Sequence, residues 1–212
     1  MNKGRDAMKK FIIGKCMKYI KKNTDYDDVK LKEIEYGIVS IYLTISKLII
    51  ISILAFVLGI FKEMIICTIF FNIIRMPAFG LHATKSWICL LSSAITFLLV
   101  PILSIYLNIN VIIKAIICSV CIILMYKNAP ADTKKKPIVN KKRRFVYKTL
   151  STILAIIFSF IAILINNQFI SNSLIFALII ENILISPLVY NLFKLPYNNY
   201  ITYLKEHPDF AQ

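Results

Sequence analysis

Six apolar runs, at 38–61, about 64–74, 87–107, 111–126, 149–165 and 174–193, fill most of this chain, and the segments between them alternate in charge. That much continuous apolar surface cannot be left in water, and one helical crossing of a bilayer takes roughly 20 such residues. Hydrophobic residues make up 58% of the 212 positions, against ~45–50% in soluble domains, and the mean hydropathy is +0.70. The expected fold is an all-α integral membrane protein with about six transmembrane or re-entrant helices.

The separators set the expected orientation. The N-terminal segment is basic, Lys62-Glu63 is neutral, 75–85 carries Arg75 and Lys85, and 108–110 ("NIN") is neutral. Residues 127–148 are heavily basic, 166–173 are neutral, and the tail from 194 is mixed. With both termini cytoplasmic, every basic separator lies inside and every neutral one outside, as the positive-inside bias requires. The net charge of +15, from 26 Lys and Arg against 11 Asp and Glu, falls in two blocks beside spans. It reads as topology and attraction to anionic lipid. Nucleic acid is not an expected partner, because the basic blocks lack interleaved stacking aromatics beyond Phe145 and Tyr147.

Two runs strain this template. The run at 64–74 has about 11 residues, so it borrows from 75–81, is re-entrant, or is partly shielded by protein. The run at 111–126 is also short. Lys114 and Lys148 near segment ends are expected to snorkel. Lys47 and Glu181 lie deeper, where charges face protein or a wet cavity, so they either pair with each other or line a passage.

Residues 1–22 do not form a signal peptide, because lysines interrupt each apolar run. Met8, Phe11, Ile12, Cys16, Tyr19 and Ile20 recur at helical spacing with lysines opposite, which predicts a basic amphipathic helix on the inner leaflet. A second polar helix should follow the acidic cap "NTDYDD" and enter the membrane at Tyr36. The expected organisation is 1–35 polar helices, 36–193 a polytopic membrane domain holding any site, and 194–212 a cytoplasmic tail.

The chain has five cysteines, Cys16, Cys67, Cys89, Cys118 and Cys121, and two histidines, His82 and His207. "CSVC" at 118–121 has metal-type spacing but no second ligand pair, so no zinc site and no cofactor is expected. H-E-x-x-H, G-x-S-x-G and phosphate-loop motifs are absent. What remains is "RMPAFGLHATKSWIC" at 75–89, where His82 precedes Cys89 by seven residues. A cysteine peptidase needs a thiolate and a histidine that activates it and then protonates the leaving amine. On one continuous helix, residues seven apart are separated by about 10 Å of rise. A working dyad therefore requires a break, which Pro77 and Gly80 supply, with Thr84 or Ser86 capping a new helix. With Ser86 as cap, Cys89 is the third helical residue, where N–H groups and the dipole favour a thiolate and an oxyanion. The rival reading of the same residues is an ordinary polar turn between two apolar helices.

The stretch resembles the signature of the AgrB family, membrane cysteine endopeptidases that process precursors of cyclic autoinducing peptides in Gram-positive quorum sensing. That pattern is roughly R-x-x-x-G-G-x-H-A with a cysteine seven residues after the histidine, and Arg75, Gly80, His82, Ala83 and Cys89 fall in register. Phe79 stands where a second glycine is usual. "EYG" at 35–37 and "APADTKKKPI" at 129–138 are similar to family segments in the same places. The resemblance implies His82 and Cys89 as the catalytic pair and Lys134, Lys135 and Lys136 as residues needed for processing, while Arg75, Gly80 and the cap candidate Ser86 form the expected supporting turn. It further implies a short peptide precursor with an acidic C-terminal tail as partner, a homodimer, and the cell membrane of a Gram-positive bacterium. Asn72 and Asp132 are candidates for a third residue orienting His82. The alternative function is a non-catalytic peptide exporter or signalling scaffold, with Lys47 and Glu181 as its polar pathway.

Overall fold

The computed structural model describes residues 2–24, 26–81, 86–133 and 137–206. The chain forms two compact units, Met1–Leu54 and Ala55–Gln212. Among the described residues, five helices are long and apolar enough to cross a membrane: Lys30–Val57, Ile88–Tyr106, Val111–Asn128, Lys141–Leu164 and Gln168–Ile185.

The first unit holds α1 (Asn2–Asn23) and most of α2 (Asp28–Val57). In α1, Ile13 and Met17 are buried, one turn apart, while Phe11, Ile12, Cys16 and Tyr19 of the expected stripe stay exposed. An apolar stripe that protein leaves uncovered on a basic helix suits the lipid interface. Asp27 starts α2: its carboxylate accepts the Lys30 N–H at 3.1 Å and its carbonyl accepts the Leu31 N–H at 3.0 Å. The polar start and the apolar run are thus one helix of 30 residues.

The second unit is a helical bundle built from α3 (Phe61–Ala78), α4 (Ser86–Ala94), a π-helical turn (Ile95–Leu99), α5 (Val100–Tyr106), α6 (Val111–Asn128), α7 (Lys141–Leu164), α8 (Gln168–Ile185), α9 (Pro187–Leu192) and α10 (Asn199–Glu206). Helix α8 lies at its centre and packs against α3, α5, α6 and α7. On α7 the buried face is Ser151, Ala155, Phe158, Ser159 and Ala162, whereas Ile153, Ile156, Phe160 and Leu164 are exposed. Apart from Phe158 the buried residues are small, and the large apolar ones face outward, which inverts the soluble pattern. Such faces match helices that approach each other closely within lipid.

Asparagines in the separators decide where helices begin. Asn110, Asn140 and Asn167 accept the N–H groups of Ile112, Arg143 and Ile170 at 2.8, 3.0 and 3.1 Å. The run at 149–165 therefore extends back to Lys141, and the run at 174–193 starts at Gln168 and divides at Ser186-Pro187. Proline opens α9 at the position where its missing N–H costs nothing. The short run at 64–74 grows into the 18 residues of α3 by taking both flanks. Those flanks bring in Lys62, Glu63 and Arg75, and α3 is not among the five helices apolar enough to cross.

Lys114 departs from expectation: it is buried and its Nζ donates to Ser171 Oγ at 2.7 Å, because central α8 offers an acceptor nearer than water. Glu181, fully buried on α8, has Arg75 as its ion-pair partner at 3.2 Å. Lys148 Nζ sits 4.2 Å over the Tyr126 ring.

Candidate active site

The cavity beside Cys89 is assembled from the end of α3, the start of α4, and helices α8 and α9. Pro77 occupies the last turn of α3 and the helix closes at Ala78. Phe79 follows at φ 63°, its N–H bonded to the Arg75 carbonyl at 3.0 Å, and Gly80 at φ 97°. No single helix therefore runs through 80–92, and α4 begins at Ser86 with Cys89 in its first turn, one position later than the spacing predicted. His82 lies outside the described residues, as do Lys134, Lys135 and Lys136.

The turn at 79–81 is bonded on three sides. The Gly80 N–H donates to the Ala131 carbonyl at 2.8 Å, and the Ala131 N–H donates to the Ala78 carbonyl at 3.0 Å. The Leu81 N–H donates to the Leu184 carbonyl at 3.0 Å. A Cβ on Gly80 would lie 3.0 Å from the Leu184 oxygen and 3.1 Å from Ile185 Cγ2, so this position needs glycine for space as well as for φ. Phe79 takes a positive φ that glycine adopts without cost, at a strain of about 1–3 kcal/mol. Its ring meets Tyr147 edge to face at 4.9 Å, which offsets part of that strain.

Arg75 fastens the turn from inside. One guanidinium nitrogen donates to the Leu81 carbonyl at 2.7 Å and the other to Glu181 Oε2 at 3.2 Å. The arginine thereby ties the residue before His82 to the central helix. The other Glu181 oxygen is buried with no hydrogen-bond partner among the described residues. No local feature of the sequence marks Glu181, 106 positions away, as the partner of Arg75. The available signal was an intramembrane carboxylate that needs a cation.

Cys89, Arg75 and Leu81 line one cavity of about 310 Å³. Ser92, Ser93 and Thr96 continue along the same helical face as Cys89, at i+3, i+4 and i+7. Phe71 and Phe97 meet edge to face at 5.8 Å on its wall, and Ile180 and Leu184 contribute from α8. Cys67, Cys118 and Cys121 are buried in the bundle, and Cys67 Sγ is 3.3 Å from Ser173 Oγ. Of the described thiols, only Cys89 lines this cavity.

Asn72 and Asp132, the two candidates for orienting His82, have defined partners among the described residues. Asn72 is exposed and its Nδ2 donates to the Thr68 carbonyl on its own helix at 2.7 Å. Asp132 is buried and organises the segment that leads to the lysines. Its carboxylate accepts the N–H groups of Asn199, Tyr200 and Ile138 at 2.9, 2.8 and 3.3 Å, with Arg144 Nη1 at 3.7 Å. Its carbonyl accepts from the Tyr190 hydroxyl and Asn199 Nδ2, each at 3.2 Å. Tyr197 donates to the Asn128 carbonyl at 3.2 Å. Burial pushes both phenols up, which keeps them protonated donors. Asp132 thus ties Ile138 to α7 and α10, and its neighbour Ala131 is bridged to Phe79 in the turn at 79–81.

Comparison with known proteins adds a second line. The family model described as accessory gene regulator B matches residues 13–185. A putative AgrB-like protein of Clostridium acetobutylicum is 29% identical over 181 residues, covering 85% of this chain and 87% of that protein. Accessory gene regulator protein B of Staphylococcus aureus strain MRSA252 is 34% identical over 146 residues, covering 68% of this chain and 78% of that protein. The protein of the same name from strain MW2 is 33% identical over the same span. No solved structure matches the chain.

Proposed function

Because the chain belongs to the accessory gene regulator B family, we propose that it is a membrane-embedded cysteine endopeptidase acting on an autoinducing-peptide precursor. It removes the acidic C-terminal tail and closes the remaining segment into a thiolactone. The observation that carries this reading is the cavity that Cys89 shares with Arg75 and Leu81, the residues that fix the turn leading to His82.

The Cys89 thiolate attacks the carbonyl of the scissile peptide bond, and His82 protonates the departing amine. The tail leaves, and the retained segment stays on Cys89 as a thioester. An internal cysteine thiol of the precursor then attacks that thioester, exchanging one C–S bond for another and returning the proton and Cys89. The second exchange is close to balanced in energy. The first is uphill, so loss of the tail must draw the reaction forward. An apolar wall beside Cys89 keeps water from the thioester.

The lysines at 134–136 have their part at the other end of the substrate. A tail of acidic residues must reach the inner face beside Cys89, and three lysines held between Pro130 and Pro137 supply the opposite charge. In this reading both termini are cytoplasmic, the active unit is a homodimer, and the enzyme sits in the membrane of a Gram-positive cell.

The test is precursor processing in liposomes. Cys89→Ala is expected to abolish tail release while inserting normally, and Ala at Cys67, Cys118 or Cys121 to leave it nearly intact. Tail release that survives Cys89→Ala overturns the assignment of the nucleophile. Replacing Lys134, Lys135 and Lys136 together by Ala is expected to raise the precursor's KM, with the wild-type KM itself rising with salt, since exposed charges are screened beyond ~8 Å at physiological ionic strength.

A further inference from the structure

The cavity beside Cys89 has a chemistry that the proposed reaction leaves unassigned. A substrate presents two sides to the nucleophile, the tail that departs and the segment that remains on the thiol. The tail is acidic in the reading above, and carboxylates cannot enter an apolar wall without losing their hydration. Arg75 offers the cavity no free charge for them, because its guanidinium is held by Glu181 and the Leu81 carbonyl. The acidic tail therefore stays out of the cavity, which is left to the other side of the bond.

We propose that this cavity is the subsite for the acyl side of the scissile bond, and that it takes the large apolar side chains immediately preceding that bond. The inference rests on the peptidase reading. Its volume of about 310 Å³ is at the small end of ligand-holding pockets, which run ~300–1,000 Å³. Phe71, Phe97, Ile180 and Leu184 supply apolar contact. Ser92, Ser93 and Thr96, on the Cys89 face, are the small residues that leave the space open.

The π-helical turn at 95–99 belongs to the same device. The Val100 N–H reaches back five residues to the Ile95 carbonyl, so the helix widens just where Thr96 and Phe97 meet the cavity. Such insertions are frequent at functional sites. Ser92 Oγ donates to the Cys89 carbonyl at 3.1 Å, which keeps a hydroxyl beside the nucleophile's own backbone. Occupation of the cavity by apolar side chains also excludes water from the thioester, and this favours ring closure over hydrolysis. Thr96 and Ser93 are therefore specificity-determining residues: a larger side chain at either should exclude the larger substrates first.

Two readouts test this on the full-length protein in liposomes. The first is tail release from precursors carrying Phe, Leu, Ala or Asp before the scissile bond. Phe and Leu are expected to exceed Asp at least tenfold in kcat/KM, and Thr96→Phe to shift preference from Phe toward Ala by at least tenfold. Equal rates for all four residues, or an unchanged preference in Thr96→Phe, overturn the proposal. The second readout needs no catalysis. Cys89 alkylation by N-benzyl-iodoacetamide is compared with iodoacetamide, with exposed Cys16 as the internal reference. Thr96→Phe is expected to lower the benzyl preference at Cys89 at least fivefold and leave Cys16 unchanged. An unchanged ratio, or one that follows lipid chain length and ignores added apolar peptide, overturns the subsite and gives the cavity to lipid. If the alkylation result holds while no precursor is cleaved, the peptidase reading fails and the apolar site stands.

Discussion

Replacing Gly80 by Ala changes one methyl group at the most constrained point of the site. The residue sits at φ 97°, and the added Cβ lies 3.0 Å from the Leu184 oxygen, 3.1 Å from Ile185 Cγ2 and 3.3 Å from the Leu184 carbonyl carbon. The backbone conformation costs a non-glycine residue about 1–3 kcal/mol, and forcing a methyl into a packed contact costs about 1–3 kcal/mol more. Two of the three close atoms are backbone on central α8, so a side-chain rotation cannot relieve them. The sum, ~2–6 kcal/mol, is released only if the turn moves away from α8 and breaks the Leu81–Leu184 hydrogen bond. That motion carries Leu81, and with it the chain entering His82, away from Cys89. At tenfold per ~1.4 kcal/mol, tail release should fall by at least ~30-fold. Gly59→Ala is the control: it has a comparable φ of 71° but nothing within 4 Å of an added Cβ. It should lose about 1–2 kcal/mol of stability and keep the rate of cleavage. The assay is initial-rate tail release in liposomes, with thermal unfolding in detergent alongside. Gly80→Ala with wild-type cleavage and wild-type Tm would refute the packing argument.

Arg75→Ala leaves the fully buried Glu181 without its cation and should cost about 3–5 kcal/mol. Arg75→Met with Glu181→Leu should restore the Tm but not cleavage, since the Leu81 carbonyl stays unclamped. Asp132→Ala strands the N–H groups of Asn199 and Tyr200, each worth about 1.5–3 kcal/mol toward a charged acceptor. Hydrogen exchange should then rise at 137–140 and 199–206 together, and a rise at one segment alone would contradict the coupling.

Much of the bundle could be read from the chain because burial in lipid makes hydrophobicity itself the signal. The runs at 111–126 and 87–107 became helices with nearly those bounds. Where bounds moved, a polar cap or a proline was the cause. Asn140 recruits four basic residues, Lys141 to Arg144, into α7, and Pro187 divides a run that hydropathy alone joins. The end of α3 and the turn at 79–81 were legible from Pro77 and Gly80, because a positive φ has few residues to serve it. The partners of charged residues were not legible. Glu181 meets Arg75 across 106 positions, and Asp132 meets Asn199 across 67, and no local period records either pairing. The cavity wall was equally hidden, since Ile180 and Leu184 differ in no visible way from other aliphatic residues of α8.

If Cys89 carries the substrate as a thioester, that intermediate can be trapped and weighed. A precursor whose internal cysteine is replaced by alanine cannot close the ring, so the intermediate should accumulate on the enzyme. Intact-mass analysis of the quenched protein should show an adduct equal to the retained segment, hydroxylamine-sensitive, mapped to Cys89, and matched one to one by released tail. His82→Ala should prevent its formation. Tail release with no adduct, or an adduct mapped to Cys67, Cys118 or Cys121, would contradict the mechanism.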